Sequence, residues 1–314
     1  MTRTWRRCWH TATHDFEPAQ FHVTIGSHEP VLRVAAGDTI RTWCVDAAGH
    51  DRSGNELTSG PNPQTGPFFV ESAAPGDTLA VRFDRIRPNR ARGLSGRVVA
   101  PHVVDPSFVT ELPSRGDGVD SWILDLDRGT GWLEEPPPGL ESLGEIRLEP
   151  MVGCFGVALP DGTAISTATS WVHGGNMDYR GFRENVTVYL PVFVDGALLH
   201  VGDGHALQGD GEIVGTGVEV SMDVELTVEV VKGKRIGWPR GDDGEFVFAV
   251  GNARPLDQAV QHATSELLRM LRDDHGLAVR AGSVLLGQCI RYDVGNVYDP
   301  AYTMVAKIEK ALLP

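Results

Sequence analysis

The densest group of potentially reactive side chains lies in residues 173–178, which read His-Gly-Gly-Asn-Met-Asp. Within six residues, His173, Asn176 and Asp178 offer an imidazole, an amide and a carboxylate, which are metal ligands or hydrogen-bonding groups. The two adjacent glycines can adopt positive φ or let a ligand approach the backbone. The pattern predicts a glycine-rich turn that forms part of a binding site.

A second polar group follows in residues 202–212, where glycines alternate with Asp203, His205, Gln208, Asp210 and Glu212. Strand and helix propensities are both poor here, so the pattern predicts a loop between two apolar strands. The apolar run 186–194 precedes Asp-Gly at 195–196, which predicts a hairpin that would bring the two polar groups together. Asp46 ends an earlier strand and is a candidate third contributor.

The elements that must position these groups are mostly strands. Alternating or continuous apolar runs predict strands at residues 31–34, 40–45, 68–71, 79–83, 122–126, 153–158, 186–193, 197–201 and 218–231. Gly-Asp turns recur at 37–38 and 76–77. Apolar residues at helical spacing predict one helix over 256–271, ended by Gly276, whereas 281–290 and 303–313 fit either period. The chain is predicted to be mainly β, with few helices, chiefly near the C-terminus.

The run Pro136-Pro137-Pro138-Gly139 suggests a boundary between a β-rich part at 1–135 and a second at 136–314, which carries the site loops and the helix. We expect the two parts to form one intertwined catalytic unit. An acidic chain with a lone amphipathic helix and a sheet edge also suggests self-association as a dimer or larger homo-oligomer.

Charge and composition exclude several classes of protein. Lys and Arg total 28 against 42 Asp and Glu, a net charge of −14, which disfavours nucleic acid or an anionic membrane surface as partner. Neither a membrane-length apolar run nor a secretory h-region is visible, so a cytoplasmic location is predicted.

Cys8, Cys44, Cys154 and Cys289 are scattered singly, which predicts buried free thiols. Histidines outside the polar groups, including His200, are expected mostly at the surface, with His22 and His50 as candidates for a pocket.

Residues 173–178, the strand 189–194 and the loop 201–212 together resemble the signature of the acetamidase/formamidase family. Supporting matches are 34–46 with its Gly-Asp turn, 62–67 and 150–153, so the resemblance spans about 20–235 in order. It implies a jelly-roll-like β-sandwich hydrolase that cleaves the C–N bond of a small aliphatic amide, formamide- or acetamide-like, with a divalent metal in the site. The Gly- and Ser-rich signature of the separate Ser-Ser-Lys amidase group is absent from the sequence.

Within that resemblance, the side chains receive the following predicted roles. A divalent metal, zinc for mixed His and carboxylate ligands or calcium for an oxygen-rich set, would polarise the carbonyl and activate water. The predicted ligand pool is Asp46, His173, Asp178, Asp203 and His205. Glu212 is the candidate general base, with His205 as a second catalytic residue and Glu212 alternatively a ligand. Asn176 and Gln208 would bind the amide or orient ligands, and Trp171 would line the substrate site or lie in the core.

Three stretches depart from the family pattern: 21–30, His50 and 169–172. All lie where substrate is expected, so they predict a change of substrate or a loss of catalysis. Two alternatives therefore stay open: a non-hydrolytic, metal-dependent protein that binds a small ligand, and an interaction module whose acidic loops bind calcium for stability.

Overall fold

The computed structural model describes residues 11–114, 116 and 118–314. Over these residues the chain forms mainly strands, with two α-helices, α1 (Leu256–His275) and α2 (Val279–Cys289), near the C-terminus. Three short 3₁₀ helices lie at Pro101–Val103, Val109–Glu111 and Lys310–Leu312. The strands, in chain order, are β1 (Thr13–Asp15), β2 (Thr24–Ile25), β3 (Leu32–Val34), β4 (Thr39–Cys44), β5 (Thr65–Val70), β6 (Thr78–Pro88), β7 (Arg92–Ser95), β8 (Asp120–Asp125), β9 (Thr130–Leu133), β10 (Ile146–Arg147), β11 (Met151–Val157), β12 (Ile165–Ser166), β13 (Ser170–Trp171), β14 (Gly174–Asn176), β15 (Thr187–Pro191), β16 (Leu199–His205), β17 (Met222–Val231), β18 (Arg240–Asp242), β19 (Phe246–Ala253), β20 (Arg291–Asn296) and β21 (Tyr302–Glu309).

Most strands belong to two large sheets. One has nine strands in the order β1-β4-β17-β6-β15-β18-β19-β21-β20, and the other has six in the order β13-β14-β11-β16-β5-β3. A four-stranded sheet (β10-β9-β8-β7) and the pair β12-β2 complete the described pairings. Both large sheets take strands from either side of residue 135. The prediction of a mainly β chain is therefore confirmed, while the jelly-roll order stays a prediction.

The main core lies between the two large sheets. Phe83 on β6 meets Phe155 on β11 with ring centroids 5.1 Å apart, and Phe182 lies 4.9 Å beyond Phe155. Such edge-on aromatic contacts add to the free energy of burying apolar surface. A second apolar cluster joins α1 to the nine-stranded sheet through residues such as Leu267 and Ala306.

The recurring Gly-Asp turns share one mechanism. Asp38 Oδ2 accepts a hydrogen bond from the Ala35 N–H, and Asp77 Oδ2 accepts one from the Ala74 N–H, both at 2.9 Å. The glycine before each aspartate has a φ above +90°, which side chains disfavour. Each turn thus leads into a strand of the nine-stranded sheet, β4 or β6.

The predicted elements outside the site are largely confirmed. The helix at 256–271 is α1, and Gly276 ends it in the left-handed conformation, with its N–H bonded to Leu271 O. Of the two ambiguous segments, 281–290 is helical within α2 and 303–313 is chiefly strand β21. Cys44 and Cys154 are buried free thiols, Cys289 is half-buried, and Cys8 lies outside the described residues.

Three local predictions near the site are wrong. The Asp195-Gly196 turn does not make a hairpin, because β15 pairs with β6 and β18 while β16 pairs with β11 and β5; the chain passes from one sheet to the other. Residues 202–205 belong to strand β16 and not to a loop. The glycine-rich turn at 173–178 contains the short strand β14, which also pairs with β11.

The strand structure of residues 202–205 has a steric reason. A Cβ on Gly202 would lie 2.6 Å from the Gln64 side chain, and one on Gly204 would lie 2.7 Å from Met222 Cβ. Glycine therefore permits close packing on this strand, and β11 supplies the backbone hydrogen bonds that offset its low strand propensity. Among the described residues, no helix is both long and apolar enough to span a bilayer.

Candidate active site

The polar groups converge around one strand of the six-stranded sheet. Strand β16 carries Asp203 and His205, Asp178 follows β14, and Glu212 lies in the loop after β16. Two further acidic side chains, Glu219 before β17 and Asp299 after β20, join them. We call the acidic cluster the group formed by Asp178, Asp203, His205, Glu212, Glu219 and Asp299, in which every residue except Asp299 is under 10% exposed.

His205 is held in one orientation. Gln208 Nε2 donates to the Asp178 backbone oxygen at 2.6 Å, so its Oε1 faces His205 Nδ1 at 2.7 Å. Nδ1 therefore carries a proton and donates, which leaves Nε2 directed at Asp203 Oδ1 (3.3 Å) and Glu219 Oε1 (3.1 Å). When the ring is neutral, Nε2 is a free lone pair that faces carboxylate oxygens.

Asn296 holds the other side of the cluster. Its buried Nδ2 lies 2.8 Å from Asp178 Oδ2, 2.7 Å from Glu212 Oε2 and 2.8 Å from Asp299 Oδ2. Its Oδ1 accepts the N–H groups of residues 298 and 299. An amide nitrogen has only two protons for three carboxylate neighbours. Asn296 therefore holds the three acids close together, but it cannot donate a full hydrogen bond to each of them.

Three of the acids have unusual backbone conformations. Asp178, Asp203 and Glu212 have φ values of 42°, 65° and 49°. Non-glycine residues adopt this region at a cost of order 1 kcal/mol or more, and they are maintained there only by surrounding structure. The fold thus stabilises a strained arrangement that aims these carboxylates at one another.

Burial and mutual repulsion alter the acid–base properties of the cluster. Burial raises the pKa of Asp178 and of Glu212 well above the usual values, and the neighbouring carboxylates add to the effect for Asp178. Burial also raises the pKa of Glu219 to about 7 and that of Asp299 to about 6. For His205, burial lowers the pKa, but Glu219 and Asp203 raise it, and the net shift is upward. The cluster therefore favours a positive charge in its midst.

The donor set fits a divalent cation. In the described part of the chain, the buried atoms Asp178 Oδ1 and Glu219 Oε2 have no hydrogen-bond partner. A Cβ on Gly153 would lie 2.3 Å from Asp178 Oδ1, 2.7 Å from Asp203 Oδ2 and 3.2 Å from His205 Cε1. The missing side chain thus leaves space bounded by two carboxylates and an imidazole, which are ligand types for zinc and similar ions.

Ligand atoms of two groups of three described residues lie within 4.8 Å of one another: Asp178, His205 and Glu212, and Asp203, His205 and Glu219. His205 belongs to both groups. Either group of buried residues could hold a metal ion.

Four of the residues predicted from the sequence lie in the cluster: Asp178, Asp203, His205 and Glu212. Gln208 contacts it through His205. Asn176 is one step away, because its Nδ2 donates to Asp299 Oδ2 at 2.5 Å, while its Oδ1 accepts from Asn62. The side-chain amides of Gln208 and Asn176, the two predicted to bind substrate or orient ligands, are thus both hydrogen-bonded to other groups of the protein.

Three other residues predicted for the site, Asp46, His173 and Trp171, lie outside the acidic cluster. Asp46 is buried, but its Oδ2 accepts from Arg90 Nη2 at 2.7 Å and its Oδ1 lies 3.2 Å from His50 Nδ1. Burial lowers the pKa of His173 to about 4, and within the described residues neither ring nitrogen has a hydrogen-bond partner. The Trp171 side chain is exposed at 49%.

The surface prediction for His200 is wrong. Its ring is fully buried on β16 and Nδ1 bonds to Leu198 O at 3.0 Å. Burial, aided by nearby histidines, lowers its pKa to about 3. His22 and His28 stack at 4.0 Å and both meet the His200 ring edge-on.

Sequence reasoning missed Glu219, Asn296 and Asp299. Glu219 lies in the alternating run 218–231, where a charged residue between valines indicates an exposed face. Its backbone instead pairs with Leu94 on one side and lies opposite His205 on the other, so its side chain is buried. Asn296 and Asp299 follow a segment whose period was ambiguous, and their Gly-Asn and Asp-Pro neighbours indicated only turns.

Comparisons with known proteins show which part of the chain is similar to acetamidases and formamidases. The family model described as "Acetamidase/Formamidase family" matches residues 160–252, which include β14, β16 and five of the six cluster residues. An acetamidase of Mycolicibacterium smegmatis is 42% identical over 85 residues, or 27% of this chain. The chain spans only 20% of that relative's length in the match.

Two solved structures resemble the whole fold. A predicted acetamidase/formamidase from the thermophile Thermoanaerobacter tengcongensis is 27% identical, with a TM-score of 0.81 over 96% of this chain and 97% of that one. The acetamidase from Yersinia enterocolitica is 29% identical, also with a TM-score of 0.81, over 97% of this chain and 94% of that one.

Proposed function

Because the chain belongs to the acetamidase/formamidase family, we propose that it is a hydrolase of linear amides. It would cleave the C–N bond of an amide to release a carboxylate and ammonia. The observation that carries the proposal is the buried acidic cluster around His205, whose Nε2 faces two carboxylates while Gln208 holds Nδ1. Such a cluster has the donors and the proton-accepting groups that amide hydrolysis needs.

We propose that Asp178, Asp203 and His205, which border the space beside Gly153, hold a divalent cation. A mixed imidazole and carboxylate set favours zinc, with calcium as the alternative. When bound, such an ion polarises a carbonyl and lowers the pKa of water. The predicted ligands Asp46 and His173 are assigned no contact with the ion, since Arg90 already pairs with Asp46 and His173 is not among the side chains nearest the space beside Gly153.

We propose that Glu212 is the general base. Burial raises its pKa, so its carboxylate readily accepts a proton from water, and the protonated form can then return it to the departing ammonia. Asn296 fixes its position through Oε2. Glu219 is the competing candidate, because its Oε2 is buried without a partner in the described residues and burial brings its pKa to about 7.

The remaining polar residues would position the site. Gln208 keeps the His205 ring in the tautomer that leaves Nε2 free, a role typical of groups that surround metal ligands. Asn176 links Asp299 to Asn62 and so stiffens the wall behind Asp178. Trp171 stays a predicted wall of the substrate site. Cytoplasmic location and self-association also stay predictions.

The test couples metal analysis of the purified protein to ammonia release from a panel of primary amides, with and without chelator. We expect near-stoichiometric zinc and an ammonia release that chelation abolishes. Stoichiometric metal without turnover of any amide would favour the non-hydrolytic binding protein. Calcium without zinc, and no turnover, would favour the structural module.

Two matched substitutions assign the base. Glu212→Gln should reduce turnover by at least 10²-fold with its metal content unchanged, as expected for loss of a general base. Glu219→Gln should retain most of the activity. The reverse result would make Glu219 the base, and loss of metal from Glu212→Gln would make Glu212 a ligand.

A further inference from the structure

An open cleft lies beside the acidic cluster, between the loop 46–54 and one face of β7 and β8. Its volume is about 640 Å³. That volume falls in the range of pockets that enclose ligands of many atoms, whereas formamide has a single carbon. The lining combines apolar Ala91, Leu94 and Ile123 with the charged or polar side chains of Asp46, His50, Ser53, Arg90 and Arg92.

A row of cross-strand neighbours joins the cleft to the cluster. Leu94 and Glu219 exchange both backbone hydrogen bonds, at 3.1 and 2.8 Å, so they are directly opposite and their side chains lie on the same face. His205 is opposite Glu219 on the other side, and its Nε2 lies 3.1 Å from Glu219 Oε1. A group bound against Leu94 is therefore one strand spacing from Glu219 and two from His205.

The charged side chains of the cleft are occupied by the protein. Arg90 donates from Nη2 to Asp46 Oδ2 at 2.7 Å, from Nε to Arg92 O at 2.9 Å and from Nη1 to Asp51 O at 3.1 Å. Asp46 is 1% exposed and also accepts the His50 N–H. Arg92, on β7 opposite Ile123, also lines the cleft and is paired with Glu134. The paired charges favour no net charge in a ligand, and Leu94 and Ile123 supply the apolar part of the β7–β8 face.

We propose that this cleft is an acyl-binding subsite and that the substrate class is primary amides with an extended apolar acyl group. The inference rests on the proposed amidohydrolase function. Leu94 and Ile123 are the specificity-determining residues: they contact the acyl chain, while the amide group extends past Glu219 toward His205. Formamide and acetamide would leave the subsite unfilled.

The test is a homologous series of primary amides from acetamide through butyramide to hexanamide. Each methylene that enters the cleft should raise kcat/KM by about fourfold. Ile123→Gln replaces the apolar side chain by a polar one of comparable size, and it should lower the hexanamide-to-acetamide ratio of kcat/KM by about tenfold. Leu126→Gln is the matched control, an exposed leucine on the turn after β8, and should leave the ratio unchanged.

The outcomes separate the subsite from the proposed function. If acetamide is cleaved but the series is flat, or if Ile123→Gln leaves the ratio unchanged in a protein with wild-type melting temperature, the subsite is overturned while the hydrolase stands. If that variant loses self-association while the ratio is unchanged, the β7–β8 face mediates contact between copies of the chain. That outcome would overturn the subsite as well.

A binding measurement keeps the subsite testable if no amide is hydrolysed, in which case the proposed function itself fails. Calorimetric titration should show that hexanamide binds the wild-type protein, and that Ile123→Gln weakens this binding about tenfold. Acetamide should bind far more weakly. Equal binding of the short and long ligands would overturn the inference.

Discussion

Replacing Gly153 with alanine places a methyl group among the three side chains proposed to hold the metal. The new Cβ would be 2.3 Å from Asp178 Oδ1 and 2.7 Å from Asp203 Oδ2, whereas ordinary contacts begin at 3.4 Å. The first oxygen must therefore retreat by 3.4 − 2.3 = 1.1 Å and the second by 3.4 − 2.7 = 0.7 Å. Metal–ligand distances vary by only about 0.2 Å around their usual values, so both carboxylates would be moved too far to bind the ion.

We expect Gly153→Ala to weaken zinc binding by at least about 10²-fold and to reduce turnover by a similar factor. Overpacking of this kind also costs about 1–3 kcal/mol of unfolding free energy. Zinc affinity is measured by competition with a chromophoric chelator, and turnover by ammonia release. Circular dichroism and thermal melts of the chelated proteins report whether the variant is folded.

Gly209→Ala is the matched control, because nothing lies within 4 Å of a Cβ at that position and it belongs to the same loop region as Glu212. It should bind zinc as the wild type does. A folded Gly153→Ala protein with wild-type zinc affinity would refute the assignment, since no cation could then lie between Asp178, Asp203 and His205.

Three further predictions concern the cluster and its neighbours. Asn296→Ala removes a donor shared by carboxylates, and because hydrogen bonds to charged groups contribute about 1.5–3 kcal/mol each, zinc titration should show 10- to 100-fold weaker binding; unchanged affinity would exclude a positioning role. The chelated protein should lose stability as pH rises from about 4.5 to about 7, because burial raises the folded-state pKa of Glu219 to about 7 and of Asp299 to about 6. The folded state then binds more protons than the unfolded state in this window. Melts at stepped pH check this trend, which zinc should reverse; a melting temperature that rises with pH would contradict it. Arg90→Gln leaves Asp46 buried without its cation and should cost about 3–5 kcal/mol in urea unfolding, whereas a loss below 1 kcal/mol would mean that water replaces the pair.

Local patterns in the sequence were sufficient for much of the fold. The helical spacing in α1 and the glycine that ends it are visible within a few residues of each other, and so are the two Gly-Asp turns. Such features depend on local backbone conformation and on which side chains repeat at a given period. They could be predicted because no distant contact is needed to explain them.

The hairpin prediction at Asp195-Gly196 shows where local patterns fail. The turn residues do form a turn, but whether two flanking strands pair depends on which edges are free. The edges of β15 are paired with β6 and β18, so the chain continues into the other sheet. The same competition between local preference and strand pairing explains β16. Its glycines disfavour a strand locally, and pairing with β11 overrides this preference.

The sequence by itself determined which side chains are available and their order: Asp178, Asp203, His205 and Glu212 lie in two polar, glycine-rich stretches and were predicted to converge. Only the tertiary structure decided that Glu219 and Asn296 complete the cluster, and that Asp46 faces Arg90. Asn296 reaches Asp178 across 118 positions, and Glu219 is buried because β7 and β16 flank it. The face that a strand residue presents is known from alternation, but the face that is buried depends on strands distant in sequence.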